Sequence, residues 1–251
     1  MLDDKLIFKK LKKKEKLQNM GALQSIYVPP SLSTAINQLE AIANLKPLFL
    51  DVLFPTKKYR PYYCQEENQD LYFEIDLNKE QKQIVNRIMS KRAPHPFIVF
   101  GPPGTGKSRT LVETIYQLYT RSIEEKSYEL IIVCAPSNTA VDVIVKQLLK
   151  TNVNKKSLLR FASVAKFQFL DKDVKAVATD RISRAQKAID DGIVRILCGT
   201  LQVLGKIVNA DASYIFVDEA GQATEPEVTI GEYCELKMTS FSLCFLTVFF
   251  K

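Results

Sequence analysis

Short apolar runs alternate with amphipathic stretches between about residue 77 and residue 217. Four of these runs are nearly all apolar and are bounded by turn or polar residues, which is typical of buried strands. They lie at residues 97–100, 130–134, 194–198 and 214–217. Because a strand that is apolar on both sides has to be covered on both faces, the pattern predicts a parallel sheet between two layers of helices.

Helices with one apolar face are predicted between these strands. Asn78 followed by Gln81 is a typical helix start, and the apolar residues after it share one helical face. Further helices are predicted over residues 107–120, 139–150 and 179–190. The alternation of strand and helix indicates an α/β fold.

A glycine-rich segment, GPPGTGKS at residues 101–108, follows the first predicted strand and opens a helix. It fits the P-loop pattern G-x-x-x-x-G-K-[ST] in the strand–loop–helix context that supports it. Glycines let the backbone turn its N–H groups toward phosphate oxygens, and the helix start attracts the same negative charge. The expected nucleotide-binding residues of this segment are Gly101, Pro102, Pro103, Gly104, Thr105, Gly106, Lys107, Ser108 and Arg109.

An acidic pair, Asp218 and Glu219, ends the last predicted strand. Ligands of open α/β sheets bind at the carboxyl ends of the strands, so this pair is expected beside the P-loop. Lys107 is expected to contact the β- and γ-phosphates of ATP, while Ser108 and Asp218 hold Mg²⁺. Glu219 is expected to orient or deprotonate the attacking water.

Four segments occur in an order that resembles the motifs of one helicase superfamily. They are GPPGTGKS, CAPSNTAVD at 134–142, ILCGTL at 196–201 and VDEAGQATEPE at 217–227. Together they resemble motifs I, Ia, Ib and II of superfamily-1 helicases of the Up-frameshift-like branch. The DEAG run followed by Glu-Pro-Glu is more similar still to the Armitage and Moloney-leukaemia-virus-ten-like RNA helicases of small-RNA silencing. The resemblance implies a RecA-like P-loop NTPase fold, α/β with a parallel sheet and helices on both faces.

The resemblance also implies roles for residues outside the P-loop. Leu77-Asn78-x-x-Gln81 is similar to the family's Q motif, so Gln81 is expected to bind the adenine edge, with helix capping as the alternative. Small hydroxyl and amide groups suit contacts with the backbone of single-stranded RNA, because such contacts position a strand without reading its sequence. The expected RNA-binding residues are Pro136, Ser137, Asn138 and Thr139 in the Ia segment, and Gly199 and Thr200 in the Ib segment.

Family enzymes work with two RecA-like domains, and the motifs of the second, including its arginine fingers, are absent from this sequence. So is the Gly-Asp-Pro-x-Gln run that senses the γ-phosphate. We expect a basic linker and partial accessory segment at 1–76, helicase domain 1 at 77–235, and an aberrant apolar tail at 236–251 that reflects a truncated or alternative product. The chain is then the ATP-binding core of an ATP-dependent RNA helicase of RNA silencing or RNA metabolism, nearly inactive alone.

The composition of the chain bears on its binding partners and on its cellular location. The net charge of +7 favours a polyanion such as RNA, although a solvated lysine-rich surface explains it equally well. Five scattered cysteines and one histidine favour neither a zinc site nor a disulfide framework. The start is not a signal peptide, and the apolar stretch at 241–250 is too short to span a bilayer. We expect a soluble, monomeric, cytoplasmic protein without membrane contact, in ribonucleoprotein granules with small-RNA silencing proteins.

Two other functions remain open. A non-catalytic nucleotide- and RNA-binding module, such as a scaffold or a truncated isoform, would bind both ligands without turnover. Another P-loop ATPase, such as a DNA helicase, would carry the same phosphate-binding residues. The choice of RNA rests on the family resemblance, because backbone phosphate contacts do not distinguish RNA from DNA.

Overall fold

The computed structural model describes residues 73–90, 97–102, 104–207, 210–224 and 227. All of them lie within the larger of two compact units of the chain, Asn37–Lys251. The predictions for most of 1–76, for Pro103 and for the tail at 236–251 lie outside the described residues. The three-part division of the chain stays a prediction.

A parallel sheet forms the core of the described fold, and its strands occur in the order β3-β2-β4-β1-β5. The strands are β1 (Leu130–Ala135), β2 (Leu158–Phe161), β3 (Ala178–Thr179), β4 (Ile196–Thr200) and β5 (Ala212–Val217). All neighbours are parallel, and β1 pairs with β4 on one side and β5 on the other. The carboxyl ends of β1, β4 and β5 therefore meet at one edge of the sheet, where α/β folds bind ligands.

Helices precede the sheet and connect its strands. Those in the described part of the chain are α1 (Lys79–Met89), α2 (Lys107–Glu124), α3 (Asn138–Leu148), α4 (Val164–Phe167), α5 (Lys172–Lys175), α6 (Ile182–Asp190) and α7 (Leu201–Leu204). Single 3₁₀ turns lie at Lys155–Ser157 and Ala220–Gln222. None of the helices within the described ranges combines the length and the apolar character that crossing a bilayer requires.

Alternate residues of the strands pack into two separate cores, one on each face of the sheet. In β1, Ile131 and Val133 belong to the core that also contains the apolar faces of α1, α2 and α3. Ile132 and Cys134 belong to the other core, which includes residues of α6 and α7. This alternation follows from the two-residue repeat of a strand. It confirms the prediction of a parallel sheet with helices on both faces.

The apolar run at 97–100 is not a strand, and that prediction was wrong. Val99 is 5% exposed, but Ile98 and Phe100 are 53% and 70% exposed. An apolar run becomes a strand only where a neighbouring strand takes up its backbone hydrogen bonds. Within the described residues, β5 pairs with β1 alone and no strand is paired with residues 97–100.

Strands β2 and β3 were not predicted from the pattern of apolar and polar residues. Their pairing moves the start of α6. The helix predicted from residue 179 begins instead at Ile182, because Ala178 and Thr179 pair with Arg160 and Phe161 of β2. β2 was not predicted because a charged residue, Arg160, interrupts its short apolar run.

Candidate functional site

The P-loop turns at two glycines with a left-handed backbone. Gly104 and Gly106 both have φ of +80°, a region that side chains strongly disfavour. Gly106 is the N-cap of α2, makes no side-chain cap, and is followed by a first turn without acidic residues. The first N–H groups of α2 therefore have no side-chain cap and no acidic residue within their own turn. These are the conditions under which a helix start binds a phosphate.

Lys107 folds over this loop. Its ammonium group donates to the carbonyl oxygens of Gly101, at 2.6 Å, and Pro102, and lies 3.5 Å from Thr105 Oγ1. The Thr105 hydroxyl donates to the Pro102 carbonyl at 2.8 Å and so tightens the same turn. Phosphate oxygens are stronger, charged acceptors than these carbonyls, so a bound nucleotide would compete well for the ammonium group.

Gln81 joins the start of α1 to the P-loop. Its Oε1 accepts from the Asn78 backbone N–H at 2.9 Å, and Asn78 Oδ1 accepts from the Gln81 N–H at 2.8 Å. This is a capping box, which was the alternative role for Gln81. In addition, Gln81 Nε2 donates to the carbonyl oxygen of Thr105 at 2.9 Å, a contact that the sequence did not indicate. Adenine binding by Gln81 stays a prediction.

Ser108 and Asp218 meet across the site. The Ser108 hydroxyl donates to Asp218 Oδ2 at 3.2 Å, and the backbone N–H of Glu219 donates to Asp218 Oδ1 at 3.0 Å. The Asp218 backbone N–H donates to the carbonyl oxygen of Cys134 at 2.8 Å, which holds it at the end of β1. Burial raises the pKa of the Asp218 carboxyl, against the lowering effect of Ser108, the Glu219 N–H and the charge of Lys107.

Glu219 occupies a strained position beside Asp218. It is a non-glycine residue with φ of 53° in the left-handed region. Such strain is retained where the surrounding structure fixes it, and it often occurs at functional sites. Burial first, and then the negative charge of Asp218, raise the pKa of the Glu219 carboxyl. A raised pKa brings a carboxylate closer to the range in which it acts as a general base.

The oxygen atoms of Ser108 and Asp218 fit a magnesium ion. Mg²⁺ in nucleotide sites is held by one or two protein oxygens together with phosphate oxygens and water. Across the described ranges, no group of three or more His, Cys, Asp or Glu side chains could hold a metal on its own. When bound, the ion would neutralise charge on the phosphates. Arg109 donates through Nη2 to the Asp76 carbonyl at 2.7 Å, so it ties the segment before α1 to the P-loop helix.

The Ia segment lies at the same edge of the sheet, directly after β1. Ser137 is the N-cap of α3, and its hydroxyl accepts from the Ala140 N–H at 3.1 Å. Pro136, Ser137 and Asn138 are half-buried, and Thr139 is exposed. A strand of nucleic acid can therefore reach this segment from the solvent, although its RNA contacts stay a prediction.

The Ib segment lies beside the Ia segment but is buried. Thr200 pairs with Ala135 in the sheet register and is 6% exposed. Gly199 is packed so closely that an added Cβ would lie 2.7 Å from Leu204 side-chain atoms. RNA contacts at Gly199 and Thr200 stay a prediction, and they require an approach through this packing.

Two buried charged residues were not predicted from the sequence. Glu113 of α2 accepts from the backbone N–H groups of Glu74 and Ile75 and from Gln117 Nε2. Arg160 of β2 is fully buried against the start of α3. The signal for Arg160 was present in the Ia segment, where Asn138 and Asp142 place two acceptors four residues apart on one helix face.

Known proteins match the region that carries this site. A family model described as an AAA domain matches residues 76–192. The "Putative helicase MOV-10" of Gallus gallus is 33% identical over 192 residues, 71% of this chain and 19% of that protein. The "RNA helicase Mov10l1" of Homo sapiens is 36% identical over 165 residues, 63% of this chain and 13% of that protein. The "Probable RNA helicase armi" of Drosophila melanogaster is 28% identical over 223 residues, 72% of this chain and 18% of that protein.

The chain thus spans less than a fifth of the length of these relatives. Among solved structures, a nuclease-deletion mutant of the Type ISP restriction-modification enzyme LlaGI, in complex with a DNA substrate mimic, matches with a TM-score of 0.50. That match has 15% identity and covers 69% of this chain and 17% of the other. At this identity it supports the fold alone.

Proposed function

Because the chain belongs to the superfamily-1 helicases of the Up-frameshift-like branch, we propose that it is the ATP-binding core of an ATP-dependent RNA helicase. The observation that carries the proposal is the hydrogen bond between Ser108 and Asp218. It joins the P-loop to the acidic pair at the carboxyl edge of the sheet, so the residues for phosphate, metal and water lie in one place.

Each residue of the site has a separate task in this proposal. The N–H groups of the P-loop and of the first turn of α2 bind phosphate oxygens, and Lys107 neutralises the β- and γ-phosphates. Ser108 and Asp218 hold Mg²⁺. Glu219 accepts a proton from the attacking water, for which its raised pKa suits it.

The nucleic acid is proposed to be single-stranded RNA bound at the Ia segment. Ser137, Asn138 and Thr139 carry hydroxyl and amide groups at a helix start, which suit backbone phosphates without sequence preference. Two of the relatives are named RNA helicases, which supports RNA as the nucleic acid, and the resemblance to the Armitage type suggests RNA silencing as the setting. Silencing proteins as partners and a cytoplasmic or granule location are proposed on the same ground, and a monomeric state stays a prediction.

The non-catalytic module is retained as a second candidate, because the recognised motifs all belong to one RecA-like domain. The chain spans less than a fifth of the length of its relatives, and in the family the arginine fingers that stabilise charge in the transition state belong to a second RecA-like domain. Their loss lowers hydrolysis by orders of magnitude in related nucleotide hydrolases. We therefore expect this chain alone to bind Mg-ATP and RNA weakly, to hydrolyse little ATP and to unwind nothing.

The test measures ATP hydrolysis and strand binding by the 251-residue chain. Single-stranded RNA is compared with DNA of the same base order, and Lys107→Ala serves as the control for hydrolysis. The proposal predicts tighter binding of RNA than of DNA and turnover close to that of Lys107→Ala. Preference for DNA would favour the DNA-helicase alternative. RNA-stimulated turnover that Lys107→Ala abolishes would contradict the expectation that this chain alone is nearly inactive.

A further inference from the structure

Arg160 is the residue that links the sheet to the proposed RNA-binding segment. It lies in β2, and its side chain is 0% exposed. Its guanidinium donates from Nε to Asp142 Oδ1 at 3.0 Å, from Nη2 to Asn138 Oδ1 at 2.9 Å, and from Nη1 to the Phe161 carbonyl at 2.6 Å. A buried cation is strongly unfavourable without such partners, so these acceptors keep the arginine inside the fold.

Both side-chain acceptors of Arg160 belong to α3. Asn138 begins this helix and Asp142 follows four residues later, so the two side chains lie on the same face. Asp142 also contacts a second cation, because Lys166 Nζ of α4 lies 3.0 Å from its Oδ2. One carboxylate is therefore shared by two cations, and the oxygen of Asn138 supplies a further acceptor for the buried guanidinium.

The contact with Arg160 fixes the orientation of the Asn138 amide. A guanidinium group has donors only, so the oxygen of the amide has to face Arg160. The amide nitrogen, with its two N–H donors, then lies on the other side of the group. Asn138 is half-buried, between the N-cap Ser137 and the exposed Thr139. A fixed donor at the start of a helix is well suited to a phosphate oxygen.

We infer that Arg160 is a positioning residue for nucleic acid: it holds Asn138 so that Nδ2 donates to a backbone phosphate oxygen of the bound strand. The inference rests on the proposed function, and it names the group that binds the strand. Lysine could not replace Arg160, because a single ammonium group lacks the planar fork that reaches Asn138 and Asp142 together.

Two variants separate the positioning residue from the donor that it positions. Arg160→Met removes the guanidinium and keeps a long apolar stem. Asn138→Asp keeps an oxygen that accepts from Arg160 but replaces the Nδ2 donors with a second acceptor. The matched control is Arg195→Met, since Arg195 donates to Ser122 Oγ and the Ser127 carbonyl at the opposite end of the strands.

Binding of a fluorescent oligouridine and of a fluorescent ATP analogue is measured for each variant of the full chain. We expect Arg160→Met and Asn138→Asp each to weaken oligouridine binding roughly tenfold, because each loses a hydrogen bond to a charged group. ATP affinity should stay within about twofold, since the P-loop lies on other elements. In an Asn138→Ala background, Arg160→Met should add little further loss, because its effect passes through Asn138.

Amide hydrogen exchange in the absence of nucleic acid measures independently how firmly Arg160 holds the start of α3. Arg160→Met should speed exchange at residues 137–142, whereas Asn138→Asp and Arg195→Met should not. Unchanged oligouridine affinity in Asn138→Asp, or equal losses of oligouridine and ATP affinity in Arg160→Met, would overturn the inference and leave the proposed function standing. A wild-type chain that binds ATP but no oligouridine would contradict the RNA part of the proposed function and the phosphate contact with it.

Discussion

The hydroxyl of Ser108 donates a hydrogen bond to Oδ2 of Asp218 across 3.2 Å, although 110 positions separate the two residues in the sequence. Ser108 lies in the first turn of α2 and Asp218 directly follows β5. The hydrogen bond places the start of α2 at the carboxyl edge of the sheet, where β5 ends. The two proposed protein ligands of Mg²⁺ are therefore brought together by the fold itself.

Asp218→Asn should lower the affinity for Mg-ATP without destabilising the fold. Asparagine keeps the shape and can accept from Ser108, but it lacks the negative charge that holds Mg²⁺, so Mg-ATP affinity should fall at least about tenfold. Because burial disfavours the charged form of Asp218, the variant should unfold at the same temperature as the wild type or a higher one. Titration with a fluorescent ATP analogue and thermal unfolding check the two parts. A variant with a lower unfolding temperature would contradict the assignment of a buried, destabilising charge.

Mg-ATP binding should weaken as the pH is lowered, beginning above the pH at which an ordinary aspartate titrates. The pKa of Asp218 is raised, and a carboxylate has to be ionised to hold the metal. For folding the sign is opposite: the charged Asp218 costs stability above its unfolded pKa, and protonation on acidification relieves that cost. Affinity measured from pH 8 to pH 5 for the wild type and Asp218→Asn isolates this contribution, because ATP itself titrates in both. Identical pH profiles of Mg-ATP affinity for the wild type and Asp218→Asn would contradict the role of the Asp218 carboxylate.

Gly106→Ala should disturb the P-loop more than Gly104→Ala does. Both glycines have φ of +80°, which costs a non-glycine residue about 1–2 kcal/mol. At Gly106 an added Cβ would also lie 2.5 Å from Gln81 Nε2, whereas at Gly104 it would meet nothing within 4 Å. Urea unfolding should show the larger loss of stability for Gly106→Ala. Adding Gln81→Ala to Gly106→Ala should recover part of the difference, and equal losses in the two single variants would refute the contact.

Glu113→Gln should destabilise the fold by about 1–3 kcal/mol, the cost of leaving buried polar groups without partners. Glu113 is 0% exposed and accepts from the Ile75 N–H at 2.8 Å, the Glu74 N–H at 3.2 Å and Gln117 Nε2 at 2.7 Å. Glutamine has one acceptor oxygen for these three donors. Glu124→Gln, at an exposed position of the same helix, is the control and should change stability by less than about 0.5 kcal/mol. Similar unfolding midpoints for both variants would contradict the role of Glu113.

The sequence was most informative where one local pattern decides the structure. The capping pair Asn78 and Gln81 correctly predicted the start of α1, and the P-loop correctly predicted the start of α2. Both helix starts depend on residues that lie within eight positions of each other in the sequence. The strands β1, β4 and β5 were likewise predicted within a few residues of their bounds, because each contains at least three consecutive apolar residues.

The failures occurred where a residue depends on distant partners. The run at 97–100 has strand composition, yet pairing decides its conformation and none of the described strands pairs with it. At Arg160 a buried strand was not predicted where one exists. An arginine is unfavourable in a buried strand unless acceptors such as Asp142 and Asn138 face it. The contact of Gln81 with the Thr105 carbonyl was hidden for the same reason, since it joins residues 24 positions apart.

The central claim is that the P-loop and Asp218 together bind Mg-ATP. Equilibrium titration of the 251-residue chain with a fluorescent ATP analogue, with Mg²⁺ and with a chelator, tests it most directly. We predict saturable binding that requires Mg²⁺ and that weakens at least about tenfold in Lys107→Ala, which loses the charge facing the phosphates. Binding that is equal with and without Mg²⁺, and equal in the wild type and Lys107→Ala, would contradict the account.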